Sequence, residues 1–503
     1  MVRQLLSFAC LPCTTQNNLW HSFIVVYDSM VSKKKFYVLF IIILFAGDVT
    51  AQSTSGDSSG YVTIVAGNEY QKSKIAQWLW GKNWRQEWLT PVRVPVVTLD
   101  TIYGGLTPYQ KSGGGESKSL RLKSAAGKEY TLRSINKFRD KTLPALLKNS
   151  AFGSIVQDGI SMSHPYAAFA IPLMLDHAKI PHTQPKLIYV PRHAALDTFN
   201  DLFANDLYLL EEKPEGDWRN ASHLGNYKNY LSTNEVKEKL RDNNQYKADQ
   251  HSFIKARLFD ILISDVDRHA GNWTWGVADT GIAIFKAVPN DRDQAFFTHN
   301  GLLTTLSIAL TRRRFLQNFG YTIKNVKTLT SHDQLLDKFF VNEMNYNDWI
   351  KAASSLRQAL TDSVITKSIQ QLPPEVAAVS GTEIIEKLKH RRNKLEDYAA
   401  RYYYAMAKSV DVNGTTQKEH FEVKKRANNQ TEVNIYRVNS QGQKEVAPYY
   451  HRVFDTKETK RITIYGFGGD DVFDIEKAIY RIKIITQQGI NKTQFAGKDG
   501  AAE

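Results

Sequence analysis

Asp265-Val-Asp-Arg-His-Ala-Gly-Asn272 is the segment on which the fold turns. Asp267 and Asn272 bring a carboxylate and a neutral amide oxygen into one short loop. Upstream, Ile254, Leu258, Ile261 and Leu262 recur at the three-to-four residue period, which predicts a helix over Asp249–Ser264 with one apolar face. Downstream, two β-like runs, Trp273–Val277 and Ile282–Val288, are joined by Ala-Asp-Thr-Gly and end at Pro289-Asn-Asp-Arg-Asp-Gln-Ala-Phe296. Asp291 and Asp293 flank Arg292 there, and an Asp-x-Asp on extended chain aims both carboxylates to one side. Carboxylates with an amide oxygen suit a hard cation such as Mg²⁺ or Mn²⁺, and do not suit zinc.

On the N-terminal side, Ser119–Lys123 and Glu129–Ile135 are separated by Ser-Ala-Ala-Gly-Lys and predict a β-hairpin. Gly113-Gly114-Gly115 precedes it; without Cβ atoms these residues can approach phosphates, and they equally suit a plain turn. Residues 141–180 predict helix, and Pro185–Pro191 and Asp206–Glu212 predict strands. Phosphoryl transfer needs a loop over the phosphates, a cation, an orienting carboxylate and oxygen ligands for a metal. The chain carries candidates in that order: Gly113, Gly114 and Gly115 for the loop, and Arg133 or Lys137 for the cation. Asp267, with Arg268 and His269, forms the catalytic set, and Asn272, Asp291 and Asp293 are the metal ligands. The donor would be a nucleotide such as ATP. A structural Asp–Arg network between packed elements would use the same residues.

The formal charge of +14, from 65 Lys+Arg against 51 Asp+Glu, favours an anionic or phosphorylated ligand or an anionic membrane surface. Neither a concentrated basic run nor a motif points to nucleic acid. Residues 30–51, MVSKKKFYVLFIIILFAGDVTA, have the basic start, 12-residue apolar stretch and small-residue end of a cleavable signal peptide. Residues 1–29 then read as a spurious extension, and 52–60 as a linker. Both cysteines, Cys10 and Cys13, precede the cleavage point, and a cysteine-free mature chain suits an oxidising compartment. Export to the periplasm or the outer membrane is expected, with no transmembrane segment in the mature chain.

DRHAGN resembles the DRHxxN loop of phosphatidylinositol kinases, and its setting is similar to Golgi casein kinases, CotH kinases and HipA-type kinases. The resemblance implies Asp267 as catalytic aspartate, Asn272 as metal ligand, and Asp291 or Asp293 in the place of the DFG aspartate. It also implies that Asp158 or Gln157 holds the ion-pairing position, and that Asp206–Glu212 is the last strand of an N-lobe. The strand YTLRSINK departs from the usual VAIK, and DFG and GxGxxG are absent.

Longer segments, including SGGGESKSLRLKSAAGKEYTLRSINK and YHRVFDTKETKRITIYGFGGDDVFDI, resemble Bacteroidetes envelope proteins. Those are labelled metallophosphoesterases and often continue into a BamA/TamA-like barrel, which implies an outer-membrane barrel partner. The phosphoesterase signatures Gly-Asp-x-x-Asp and Gly-Asn-His-Glu are missing here. Gly466–Phe473 resembles one calcium-binding nonapeptide turn, and a tight turn between strands is expected there.

The expected fold is α+β: a two-lobed, atypical kinase-like domain over 61–410, then a small β domain over 411–503 that stops abruptly. The N-lobe would span about 61–215 and the C-lobe about 216–410. The same organisation would fit a non-catalytic envelope scaffold or pseudokinase, since an exported protein meets little ATP.

Overall fold

The computed structural model describes residues 55–56, 59–113, 116–138, 150–279, 283–476, 482–486 and 492–496. The predicted signal peptide, most of the linker, Gly114 and Gly115 lie outside these. Five strands, β1 (Leu106–Ser112), β2 (Ser117–Ser124), β3 (Glu129–Lys137), β4 (Lys186–Val190) and β5 (Asp206–Lys213), form one antiparallel sheet in the order β1-β2-β3-β5-β4. Period-two alternation drives it: Leu120, Leu122, Leu132 and Leu210 point to one apolar face, where they meet Trp218, Phe203 and Val288. The predicted hairpin is β2–β3, closed by a turn in which Gly127 takes φ +77°.

The helical lobe forms around α3, Gln250–Ile263. Asp249 caps its start by accepting from the Ser252 N–H at 3.0 Å, and Ser264 ends it in the left-handed region at φ 52°. One apolar face was expected, but Phe253, Ala256, Phe259 and Ile263 are buried as well as the four predicted residues. The helix is enclosed on all sides because Trp273 and Trp275, the Tyr346–Ala359 helix and the Leu395–Ala407 helix each cover a face. The predicted β pair is β6 (Trp273–Asp279) and β7 (Ala283–Pro289), antiparallel from Trp273↔Pro289 onward. Further along the chain two helices, Thr382–Arg392 and Leu395–Ala407, follow one another with a break at Asn393-Lys394. Strands Tyr61–Ile64 and Val92–Pro95, with Trp84 and Trp88, join the core of this lobe instead of the N-lobe sheet core.

From Ser409 the chain forms stacked two-strand rungs. Ser409–Asn413, Arg461–Gly466 and Ile482–Thr486 make one parallel sheet. Glu419–Arg426, Val472–Glu476 and Lys492–Ala496 make the parallel part of a second. An antiparallel meander, Gln430–Arg437 and Tyr450–Asp455, extends that second sheet. Gly466–Phe473 is a tight turn as expected, but it sits within this coil. A Cβ on Gly469 would come 2.2 Å from the Gln417 backbone, so the two turns lie one on the other. Phe421 and Phe473 stack across the rungs at 4.6 Å. Among the described residues no helix is long and apolar enough to cross a membrane.

Candidate functional site

α3 ends in the loop 264–272, and that loop is held from beneath by Arg268. The guanidinium is fully buried and lies 3.2 Å from Asp260 and 3.3 Å from Asp265. It also donates to the Asn272 carbonyl at 3.3 Å and, with both terminal nitrogens, to the Asn290 carbonyl. The Asn290 N–H returns to the Asn272 carbonyl at 3.0 Å. The loop and the end of β7 are therefore stitched into one unit. Arg268 was expected in the catalytic set; enclosed as it is, it cannot meet a ligand, and it positions the loop. His269 is exposed, and its Nδ1 accepts the Gly271 N–H at 3.1 Å, capping the turn that carries Asn272.

A larger charge network supports this clamp. Asp260 also receives Arg257 and Arg292, each at 3.3 Å, and Arg257 grips Asp337 at 2.7 Å and lies 3.6 Å from Asp333. Burial pushes Asp333 up to about 8 and Asp337 up to about 6 against the pull of Arg257. Burial likewise raises Asp265 despite Arg268.

Above the clamp the predicted residues converge. Lys137, at the end of β3, lies 2.7 Å from Asp293, and Arg133 in mid-strand pairs with Asp291 and, at 3.4 Å, with Glu211 of β5. These pairs bridge the N-lobe sheet to the loop after β7. Burial opposes both charges of the first pair, yet the cations hold Asp293 near 2, and Asp293 with Glu116 holds Lys137 above its ordinary value. Asp267 is half-buried and accepts no hydrogen bond among the described residues. Burial raises its pKa, partly offset by His269, and the Asp293 and Asp291 charges raise it further. Asn272 is buried with Oδ1 unpartnered among the described residues. A buried amide oxygen left without a donor fits a cation ligand.

Other expected positions differ. Asp158 does not pair with the β3 cations: Arg85 holds it with two contacts of 2.6 Å. Gln157 is what joins helix Ala151–Asp158 to β3, donating to the Lys137 carbonyl at 2.7 Å. Gly113 takes φ +80° in the β1–β2 connection, while Gly114 and Gly115 lie outside the described residues. Glu211 was not anticipated; burial lifts it to about 7 even beside Arg133. Its signal was an acid on the inward side of the run Asp206–Lys213.

No family model and no curated protein matches the sequence. Among solved structures, the chain is similar to the proinflammatory kinase CtkA of Helicobacter pylori, at 12% identity over 61% of this chain and 97% of that one, TM-score 0.32. It is also similar to a MAP kinase of Leishmania major (10% identity, 59% of this chain and 82% of that one, TM-score 0.20). An apo pseudokinase matches at 10% identity over 62% of this chain and 97% of that one, TM-score 0.19. Likeness this loose transfers no residue role. The chain is an α+β protein, with a five-stranded antiparallel sheet, a helical lobe built around α3 and a C-terminal β region.

Arg268→Ala leaves Asp265 buried without its cation and Asp260 with only Arg257 and Arg292, and about 3–5 kcal/mol of stability should be lost. Urea denaturation measures this, and a loss below about 1 kcal/mol would remove Arg268 from the role of clamp.

Proposed function

We propose that this chain binds a nucleoside triphosphate with Mg²⁺ or Mn²⁺ in the cleft between β3 and the 267–293 loops and transfers its terminal phosphoryl group to a hydroxyl. The observation that carries this is the Lys137–Asp293 pair, with the raised pKa of Asp267 and the unpartnered Asn272 Oδ1 supporting it. Asn272 and Asp293, with Asp291 beside them, would hold the cation, which when bound neutralises charge on the phosphate oxygens. Lys137 and Arg133 would then exchange their carboxylate partners for phosphate oxygens. Asp267 takes the proton of the acceptor hydroxyl as that oxygen bonds to the γ-phosphorus. The bond from that phosphorus to the bridging oxygen breaks, and the nucleoside diphosphate leaves.

A pseudokinase scaffold is the second reading, favoured by one observation: Arg133 and Lys137 already neutralise Asp291 and Asp293 across the cleft. In either case we infer an exported envelope protein acting beside an outer-membrane barrel. Residues 30–51 and the resemblance to Bacteroidetes envelope proteins support that placement. N-terminal sequencing of the processed chain tests it, with Gln52 as the expected first residue.

In a transfer assay with labelled ATP and Mg²⁺ or Mn²⁺, Asp267→Asn should lower the rate by about 100-fold or more while nucleotide affinity stays within about twofold. Only the carboxylate form of Asp267 accepts a proton. Because its pKa is raised, the wild-type rate should fall as pH drops through that raised value, and earlier than an ordinary aspartate would dictate. Equal rates in the variant, or nucleotide binding with no transfer under any metal, would favour the scaffold.

A further inference from the structure

Two helices far apart in sequence, α1 (Lys74–Trp80) and α4 (Leu302–Leu310), interlock on the helical lobe. Asn83 and Asn300 exchange backbone-to-amide hydrogen bonds at 3.2 and 3.3 Å, and the Thr304 hydroxyl donates to the Trp80 carbonyl at 3.1 Å. A Cβ on Gly301 would lie 2.2 Å from the Trp80 backbone, so the approach admits no side chain. The pair is a fixed platform, yet its outer side is apolar. Ile75 is 66% exposed, Trp78 65%, Leu302 52%, Leu306 52% and Leu310 60%, and no residue of α4 is buried. Single exposed apolar residues are ordinary, but a group of this size on two locked helices marks an interaction surface.

The two segments that carry the patch hold charge of one sign. No Asp or Glu occurs between Tyr70 and Gln86 or between Gln294 and His332; in the first stretch Arg85 is buried against Asp158, with Lys72 3.8 Å from the same carboxylate, which leaves Lys74 and Lys82 to face solvent. The second stretch places Arg312-Arg313-Arg314 directly after α4, with Arg312 and Arg314 exposed; Lys74 and Lys82 are exposed beside α1. Trp and Leu on a locked face, flanked by exposed Lys and Arg in segments free of acids, is the chemistry that seats a protein at an anionic bilayer surface. A carboxylate-bearing protein partner would match the cations but has no need of so many unpaired leucines. We propose that the α1–α4 face docks on the surface of an anionic phospholipid membrane, with the apolar residues entering the headgroup boundary and Arg312, Arg314, Lys74 and Lys82 meeting lipid phosphates.

Hydrogen–deuterium exchange of the full chain, with vesicles of pure phosphatidylcholine or of phosphatidylcholine with phosphatidylglycerol, tests this segment by segment. The full chain also contains the apolar stretch 36–47, so the readout is protection within 74–82 and 302–314 and not binding alone. Protection there is expected on the anionic vesicles only, weakening at high salt. The double variant Arg312→Glu/Arg314→Glu should need more than about ten times the lipid for the same protection. Leu306→Ser, an exposed change that leaves the core untouched, should weaken it as well. Absence of protection in these segments on anionic vesicles, or protection unchanged in the variants, overturns the proposal. So does protection that grows with protein concentration without lipid, which would assign the face to a second copy of the chain.

Discussion

The burial of Arg268 is the constraint to which the rest of the site answers. A guanidinium removed from water is tolerable only when carboxylates and carbonyls meet its donors. Asp260 and Asp265 supply the charge beside Nε, and the Asn272 and Asn290 carbonyls accept from the terminal nitrogens. Satisfying it requires the end of α3, the 264–272 loop and the end of β7 to be in one place. Asp267, Asn272 and Asp291 are carried into position by that requirement. Arg257 and Arg292 share Asp260 and extend the network to Asp333 and Asp337. Burial raises the pKa of both, so the acids need not all be ionised at once.

Much of this was legible wherever local chemistry decides structure. The β2–β3 hairpin followed from alternation and a glycine turn. α3 followed from its apolar period, although its all-round burial did not, because the helices covering it come from residues more than 80 positions later. Arg133, Lys137, Asp291 and Asp293 were readable from order and spacing as candidates, but their pairing with one another was not. The role of Arg268 was not, since a buried clamp and an exposed ligand-binding arginine look alike in DRHAGN. The Arg85–Asp158 pair was equally hidden, because no local pattern links a short helix near residue 85 with one ending at 158. In the C-terminal region the alternating strands were evident. Their stacking into rungs was not, because the contact between Gly469 and Gln417 is a property of two turns in different rungs.

The ion pairs between β3 and the loop after β7 let the proposed site remain folded without a ligand. Lys137 and Arg133 are heavily buried cations, and Asp293, Asp291 and Glu211 are their counter-charges. A triphosphate with a divalent cation brings both signs at once: phosphate for the cations and metal for the carboxylates. The exchange conserves pairing, so neither set of charges need be left bare in low dielectric. Phosphate alone or metal alone would satisfy one set and strand the other, so nucleotide and metal should bind as a coupled pair.

Electron paramagnetic resonance of Mn²⁺, titrated into the protein with and without a non-hydrolysable ATP analogue, tests that coupling most directly. The account predicts protein-bound Mn²⁺ only when the nucleotide is present, and its loss in Asp293→Asn. Mn²⁺ that binds equally without nucleotide, or that ignores the Asp293 change, would contradict a nucleotide–metal site in this cleft.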